Sequence, residues 1–175
     1  NPIDNHTFSV NRSDFVNCSR GVYVISTRNE RITRNNFRVR QTNYETYGFY
    51  LERSSGYTVQ ENNVYGNFVD PSLNPSDMRS FGIVANSSGV ENNLIYKNEL
   101  GRNLFVGIYN AKVNGSTVPP NFWQSGSAYP STGLKLRCNT FHNDIHRADI
   151  EISGIIHYIQ GSANLAFPGS FQYTP

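Results

Sequence analysis

The sequence contains no run near the roughly 18 consecutive apolar residues of a membrane helix, so no insertion into a bilayer is expected. Its first residues, Asn1-Pro2-Ile3-Asp4-Asn5, lack the basic-then-apolar layout of a signal peptide, and the chain reads as mature or excised. Cysteine is scarce: Cys18 and Cys138 can build neither a disulfide framework nor a metal site by themselves. Lysine is also scarce for a chain with twelve arginines, since only three lysines occur. The net charge of +2 is too small to argue for nucleic acid, and none is expected as a partner. No Gly-rich phosphate loop, Gly-x-Ser-x-Gly elbow or His-Glu-x-x-His segment is present, which leaves those reaction classes without support.

What the chain has in excess is asparagine, at 23 of 175 positions, beside an aromatic content of 13%. Disordered chains are poor in Tyr, Phe, Ile and Val, whereas these recur here at regular positions. The asparagines therefore need a structural role within a packed object. Five arginines, Arg28, Arg31, Arg34, Arg38 and Arg40, fall in one stretch. They read first as an outward solvated face and second as a patch for acidic glycans or phosphate.

An internal repeat supplies that role. Its core is an apolar residue, two variable residues, Asn, one variable residue and a second apolar residue. It occurs at Ile32–Phe37, Val59–Val64, Ile95–Leu100 and Leu136–Phe141, with a copy at Val10–Phe15 in which Ser replaces Asn. Upstream of each full copy lies a segment that starts at Gly and then alternates apolar with variable residues: Gly21-Val22-Tyr23-Val24, Gly48-Phe49-Tyr50-Leu51, Gly82-Ile83-Val84-Ala85 and Gly107-Ile108-Tyr109. A further strand begins at Ile150-Glu151-Ile152. Successive glycines are 27, 34 and 25 residues apart, one coil of a solenoid with loop extensions. Helical repeats of this length would need apolar residues every three or four positions instead.

The expected fold is all-β: a right-handed parallel β-helix of about five to six coils, with insertions near 65–81 and 110–132. Asn35, Asn62, Asn98 and Asn139 are expected at equivalent corners, each in the left-handed conformation that Asn tolerates, with their side chains bonded along the stack as a ladder. Cys18 and Cys138 would stand about three rungs apart, roughly 14 Å, too far for a disulfide.

The glycine-led strand, the Asn bend and the period resemble the pectate-lyase-like right-handed β-helix superfamily. Residues 48–63 and 133–141 further resemble β-helix regions of bacterial surface proteins exported by the type IX route. The likeness spans Val10 to Gln160 and implies an extracellular or cell-surface bacterial location. It implies fold more than activity, because this architecture carries lyases, hydrolases, adhesins and stalks. Without a C-terminal sorting domain, residues 1–175 are expected to be one β-helix domain of a longer protein, with neighbouring domains as partners.

Alternation assigns the faces. Val22, Val24, Phe49, Leu51, Ile83, Ala85, Ile108, Ile150 and Ile152 point inward. One outward column reads Tyr23, Tyr50, Val84, Tyr109, Glu151, and the next Ile25, Glu52, Asn86, Ala111, Ser153. In the lyases that the chain resembles, this face holds calcium-binding carboxylates and a base; here only Glu52 and Glu151 stand on it, so no catalytic residue is carried over and no cofactor is expected. Tyr23, Tyr50 and Tyr109, with Phe122, Trp123 and Tyr129 on the long insertion, form a candidate surface for glycans; the competing reading is cross-strand stabilisation alone. His142, Asp144, His146, Asp149 and His157 are read as a solvated turn, and no metal is assigned. The function that follows is a non-catalytic extracellular module, a stalk or adhesive segment with glycans as a candidate contact. A polysaccharide lyase or glycoside hydrolase acting on the Tyr-bearing sheet is the alternative.

Overall fold

The computed structural model describes residues 8–67, 72–74, 77–89, 91–113, 133–142, 144–155, 165–166 and 171–174. The chain is a right-handed parallel β-helix. Seventeen strands in the described residues fall into three sheets, and every pairing is parallel. The first sheet stacks β1 (Ser9–Asn11), β4 (Arg31–Thr33), β7 (Thr58–Gln60), β10 (Asn93–Tyr96) and β13 (Leu134–Arg137). The second stacks β2 (Asp14–Cys18), β5 (Asn36–Val39), β8 (Asn63–Gly66), β11 (Glu99–Gly101), β14 (Thr140–Phe141) and β16 (Leu165–Ala166). The third stacks β3 (Arg20–Ile25), β6 (Thr46–Glu52), β9 (Ser80–Asn86), β12 (Val106–Val113), β15 (Ala148–Ile155) and β17 (Phe171–Thr174).

Each winding visits the three sheets in turn, so like residues fall into columns. The interior columns are aliphatic and aromatic: Ile32, Val59, Ile95 and Leu136 in the first sheet, Phe37, Val64, Leu100 and Phe141 in the second, Phe49, Ile83, Ile108 and Ile150 in the third, all buried. Parallel stacking places identical shapes about 4.8 Å apart, which suits flat rings and branched aliphatics. Phe15 lies on Phe37 with ring centroids 4.3 Å apart and planes 8° from parallel.

The corner between the first two sheets corrects one expectation. The left-handed residue is the one before each asparagine: Arg34, Glu61, Lys97 and Cys138 have φ of 57°, 55°, 51° and 52°, and Arg12 before Ser13 has 52°. The chain turns at that residue, and the turn delivers the next side chain into the interior. Asn35, Asn62, Asn98 and Asn139 are accordingly buried and form the ladder. Their function at the corner is hydrogen bonding, not backbone permissiveness.

The glycines of the third sheet are fixed by close approach. A Cβ on Gly82 would stand 2.5 Å from the carbonyl oxygen of Gly107 and 2.7 Å from Leu100; on Gly48 it would stand 2.8 Å from Gly82 O and from Val64. The strands start just ahead of these glycines, at Arg20, Thr46, Ser80 and Val106. The glycine also interrupts alternation, so that Tyr47 and Tyr50 both join an outer cluster while Phe49 lies in the core. In the next winding Asp149 follows Ala148 into the position that glycine holds in the four windings before it.

The columns of the third sheet pair as the alternation requires: Tyr23, Tyr50, Val84, Tyr109, Glu151 in one register and Ile25, Glu52, Asn86, Ala111, Ser153 in the next. Their exposure differs from expectation. Val84 and Glu151 are buried; Phe81 of β9 itself, with Met78 and Phe105 from the connecting segments, forms a second apolar cluster with Val84 on the outside of this sheet. Asn110 is a further departure, an amide buried in the interior column between Ala85 and Ile152 with neither polar side-chain atom hydrogen-bonded.

Candidate functional site

The outer face of the third sheet gathers three tyrosines at one end. Tyr23 and Tyr50 meet edge to face with ring centroids 5.1 Å apart, Tyr47 lies 4.9 Å from Tyr50, and Tyr23 lies 6.1 Å from Tyr47. Tyr109 is not part of this group; Val84 separates it from Tyr50, and its ring packs on Phe81 at 5.4 Å. Of the column only Tyr23 is well exposed, at 48%, while Tyr47 is buried and Tyr50 and Tyr109 are half-buried. Phe122, Trp123 and Tyr129 lie outside the described residues.

The hydroxyls are fixed. Tyr23 Oη donates to Glu52 Oε2 at 2.8 Å, and Asn86 Nδ2 donates to Tyr50 Oη at 3.0 Å. The hydrogen bond to Glu52 raises the Tyr23 pKa, and burial raises that of Tyr47, so both rings stay neutral, and the exposed Tyr23 can offer its flat face. Glu45, Tyr47, Tyr50, Phe81, Val84 and Tyr109 enclose a cleft of about 30 Å³, too small for a sugar ring. Of the rings around this cleft and beside it, Tyr23 is the one exposed to solvent.

The two carboxylates on this face do not form a pair. Glu52 on β6 and Glu151 on β15 are three rungs apart, roughly 14 Å by strand spacing. The paired carboxylates of glycoside hydrolysis stand about 5 to 9.5 Å apart. Each is also engaged elsewhere: Glu52 by Tyr23 and by Arg53 at 3.6 Å, Glu151 by Arg147 at 3.0 Å.

A denser cluster lies on the outer face of the second sheet, where sequence reading did not place one. His142 Nε2 is 2.7 Å from Glu99 Oε1, and Tyr65 donates its hydroxyl to the same carboxylate. These bonds, that of Tyr65 foremost, hold Glu99 below the usual carboxylate range. The Arg102 guanidinium stands 4.9 Å over the Tyr65 ring, and Asp144 Oδ1 accepts the Arg102 main-chain N–H at 2.6 Å. Tyr65, Glu99 and Arg102, and His142 and Asp144, come from three successive windings. Only the stacking joins them, and no local motif marks it. His142 and Asp144 thus serve different neighbours, and among the described residues no three His, Cys, Asp or Glu side chains converge.

The five neighbouring arginines do not form one patch. Arg28 pairs with Glu91 at 3.6 Å and Arg34 with Glu61 at 2.8 Å, while Arg31 and Arg38 lie on different sheets. A stretch of 13 residues from Arg28 to Arg40 wraps half a winding, so its side chains fan around the solenoid. Cys18 and Cys138 are free thiols.

The family model described as "Periplasmic copper-binding protein (NosD)" matches residues 3–158. No curated protein and no solved structure matches the chain.

Proposed function

We propose that this chain, which belongs to the NosD family, serves as a non-catalytic β-helical module of an exported bacterial protein, a stalk or adhesive segment that contacts glycans through Tyr23. The observation carrying the glycan contact is the exposed Tyr23 ring, braced against Tyr50 and tied through its hydroxyl to Glu52. A ring held in this way loses little freedom when a sugar stacks on it, and the neighbouring Glu52 carboxylate can take hydroxyl hydrogen bonds. The family's periplasmic description supports a location outside the cytoplasm, and the resemblance to type IX-exported proteins supports a place at the cell surface.

Among the described residues copper, which the family description names, finds no set of ligands. Soft thiolate, thioether and imidazole groups are what copper selects. Among the described residues Met78 is fully buried in the outer cluster, the two thiols belong to different windings, His142 is engaged by Glu99, and the exposed His146 joins no group of three ligating side chains. The described residues do not fit a copper centre.

A glycan array probed with the parent chain and with Tyr23→Ala tests the reading. Binding to neutral glycans should fall about tenfold in the variant, on the order of 1.4 kcal/mol for one stacking ring. Equal binding by both proteins removes Tyr23 as the contact.

A further inference from the structure

A groove of about 680 Å³ runs along the outer face of the second sheet, bordered by Asp14, Asn36, Arg38, Tyr65, Asn67 and Arg102 among others. Its size is that of a ligand site, not of a surface wrinkle. Arg38 and Tyr65 are direct cross-strand partners, and Gly101, next to Arg102, stands on the rung beyond. The two guanidinium groups therefore arise about two rungs, or about 10 Å, apart along the solenoid axis.

The arginines differ from those of the same stretch in what holds them. Arg28 and Arg34 are neutralised by carboxylates, whereas the exposed Arg38 side chain has no hydrogen-bond or ion-pair partner among the described residues. Arg102 lays its guanidinium over the Tyr65 ring; it is exposed, and its guanidinium has no hydrogen-bond or ion-pair partner among the described residues. Its backbone is unusual: Arg102 and Asn103 are consecutive left-handed residues, with φ of 51° and 67°. Asp144 clamps both, through Oδ1 to the Arg102 N–H at 2.6 Å and through its carbonyl to the Asn103 N–H at 3.1 Å. Gln41 Nε2 donates to Asn103 O from the other side. Three segments thus fix one exposed cation at the groove's edge.

The remaining groups narrow the ligand class. Asp14 stands in the groove, its Oδ1 accepting from Asn36 Nδ2 at 2.7 Å, and Asn67 donates to Asn17 Oδ1 at 3.2 Å across its rim. A carboxylate beside two amides suits hydroxyl groups and disfavours a multiply charged phosphate. Two separated arginines with an aromatic ring between them suit carboxylates carried on rings.

We propose that this groove binds an acidic oligosaccharide, with Arg38 and Arg102 pairing successive sugar carboxylates along the solenoid axis and Tyr65 as the wall between them. The site is separate from the Tyr23 face, and the proposal rests on the reading of the chain as a glycan-binding module.

Titration calorimetry of the folded chain with an oligogalacturonate, its carboxyl-reduced counterpart and inorganic phosphate tests it. The acidic sugar should bind, the reduced sugar and phosphate at least tenfold more weakly, and the affinity should fall with added salt. Arg38→Met and Arg102→Gly should each weaken binding at least tenfold; glycine accepts the left-handed backbone, so the second variant keeps the fold. Tyr23→Ala should leave this binding unchanged, which separates the two sites. Absence of binding, equal binding of the reduced sugar or of phosphate, or parent-like binding by Arg38→Met would each overturn the proposal.

Discussion

Asn62 Oδ1 accepts both the main-chain N–H and the side-chain Nδ2 of Asn35, each at 3.0 Å. Asn62 in turn donates Nδ2 to Ile32 O at 2.9 Å and to Asn98 Oδ1 at 2.9 Å, so one carboxamide satisfies groups on both neighbouring windings. All of these groups are buried, and a buried group left without a partner costs about 1 to 3 kcal/mol. Asn62→Ala would orphan several at once and should lower stability by about 3 kcal/mol or more in urea unfolding. The adjacent but exposed Asn36→Ala should cost less than about 1 kcal/mol.

The left-handed corners predict an opposite sign for two substitutions at one site. Lys97 has φ of 51° and is exposed. Lys97→Gly relieves that conformation and should be neutral to slightly stabilising, whereas the β-branched Lys97→Val should cost about 1 to 2 kcal/mol. Thermal midpoints of the two variants, bracketing the parent, would check this.

Asparagine was visible in the sequence as the repeated corner residue because its spacing from the flanking apolar positions never changes. Which of its two properties the corner uses was not visible. Asn suits both a left-handed backbone and a side-chain ladder, and only the dihedral angles of Glu61 and Lys97 separate them. Column register was legible for the same reason: alternation from Gly21, Gly48, Gly82 and Gly107 pairs Tyr23 with Tyr50 and Tyr50 with Val84. Burial of Val84 was not legible, since its cluster draws Met78 and Phe105 from connecting segments with no repeat signature. The Tyr65–Glu99–His142 cluster spans 77 sequence positions, and only the stacking of windings brings it together.

Gly82 marks one of the tight contacts between windings. A methyl there meets the Gly107 carbonyl oxygen at 2.5 Å, and that main chain is held by strands on either side. Gly82→Ala should lower stability by about 2 to 3 kcal/mol through overpacking, read as a lower unfolding midpoint with an unchanged denaturant slope.

Asp149 gives the fold a pH dependence. It is buried, its Oδ2 has no hydrogen-bond partner, and burial pushes its carboxyl up to about 6. The folded state therefore holds this proton more tightly than the unfolded chain, whose carboxyl titrates near about 3.9. Stability is greatest below about pH 4 as far as this group is concerned, falls as pH rises through 6, and loses roughly 3 kcal/mol in total, at about 1.4 kcal/mol per pH unit. Asp149→Asn should remove that slope and be the more stable protein at pH 8. Denaturation curves at pH 5 and pH 8 compare the two; parallel pH dependence in parent and variant would contradict the assignment.

Side-chain amide resonances of the stacked asparagines test the coiled architecture most directly. Nuclear Overhauser spectra of labelled protein should link the Nδ2 protons of Asn35 to Asn62, Asn62 to Asn98 and Asn98 to Asn139 in an unbroken series, with all of them slow to exchange with solvent. Four amides that exchange at once and show no mutual cross-peaks would mean that the windings do not lie on one another as described.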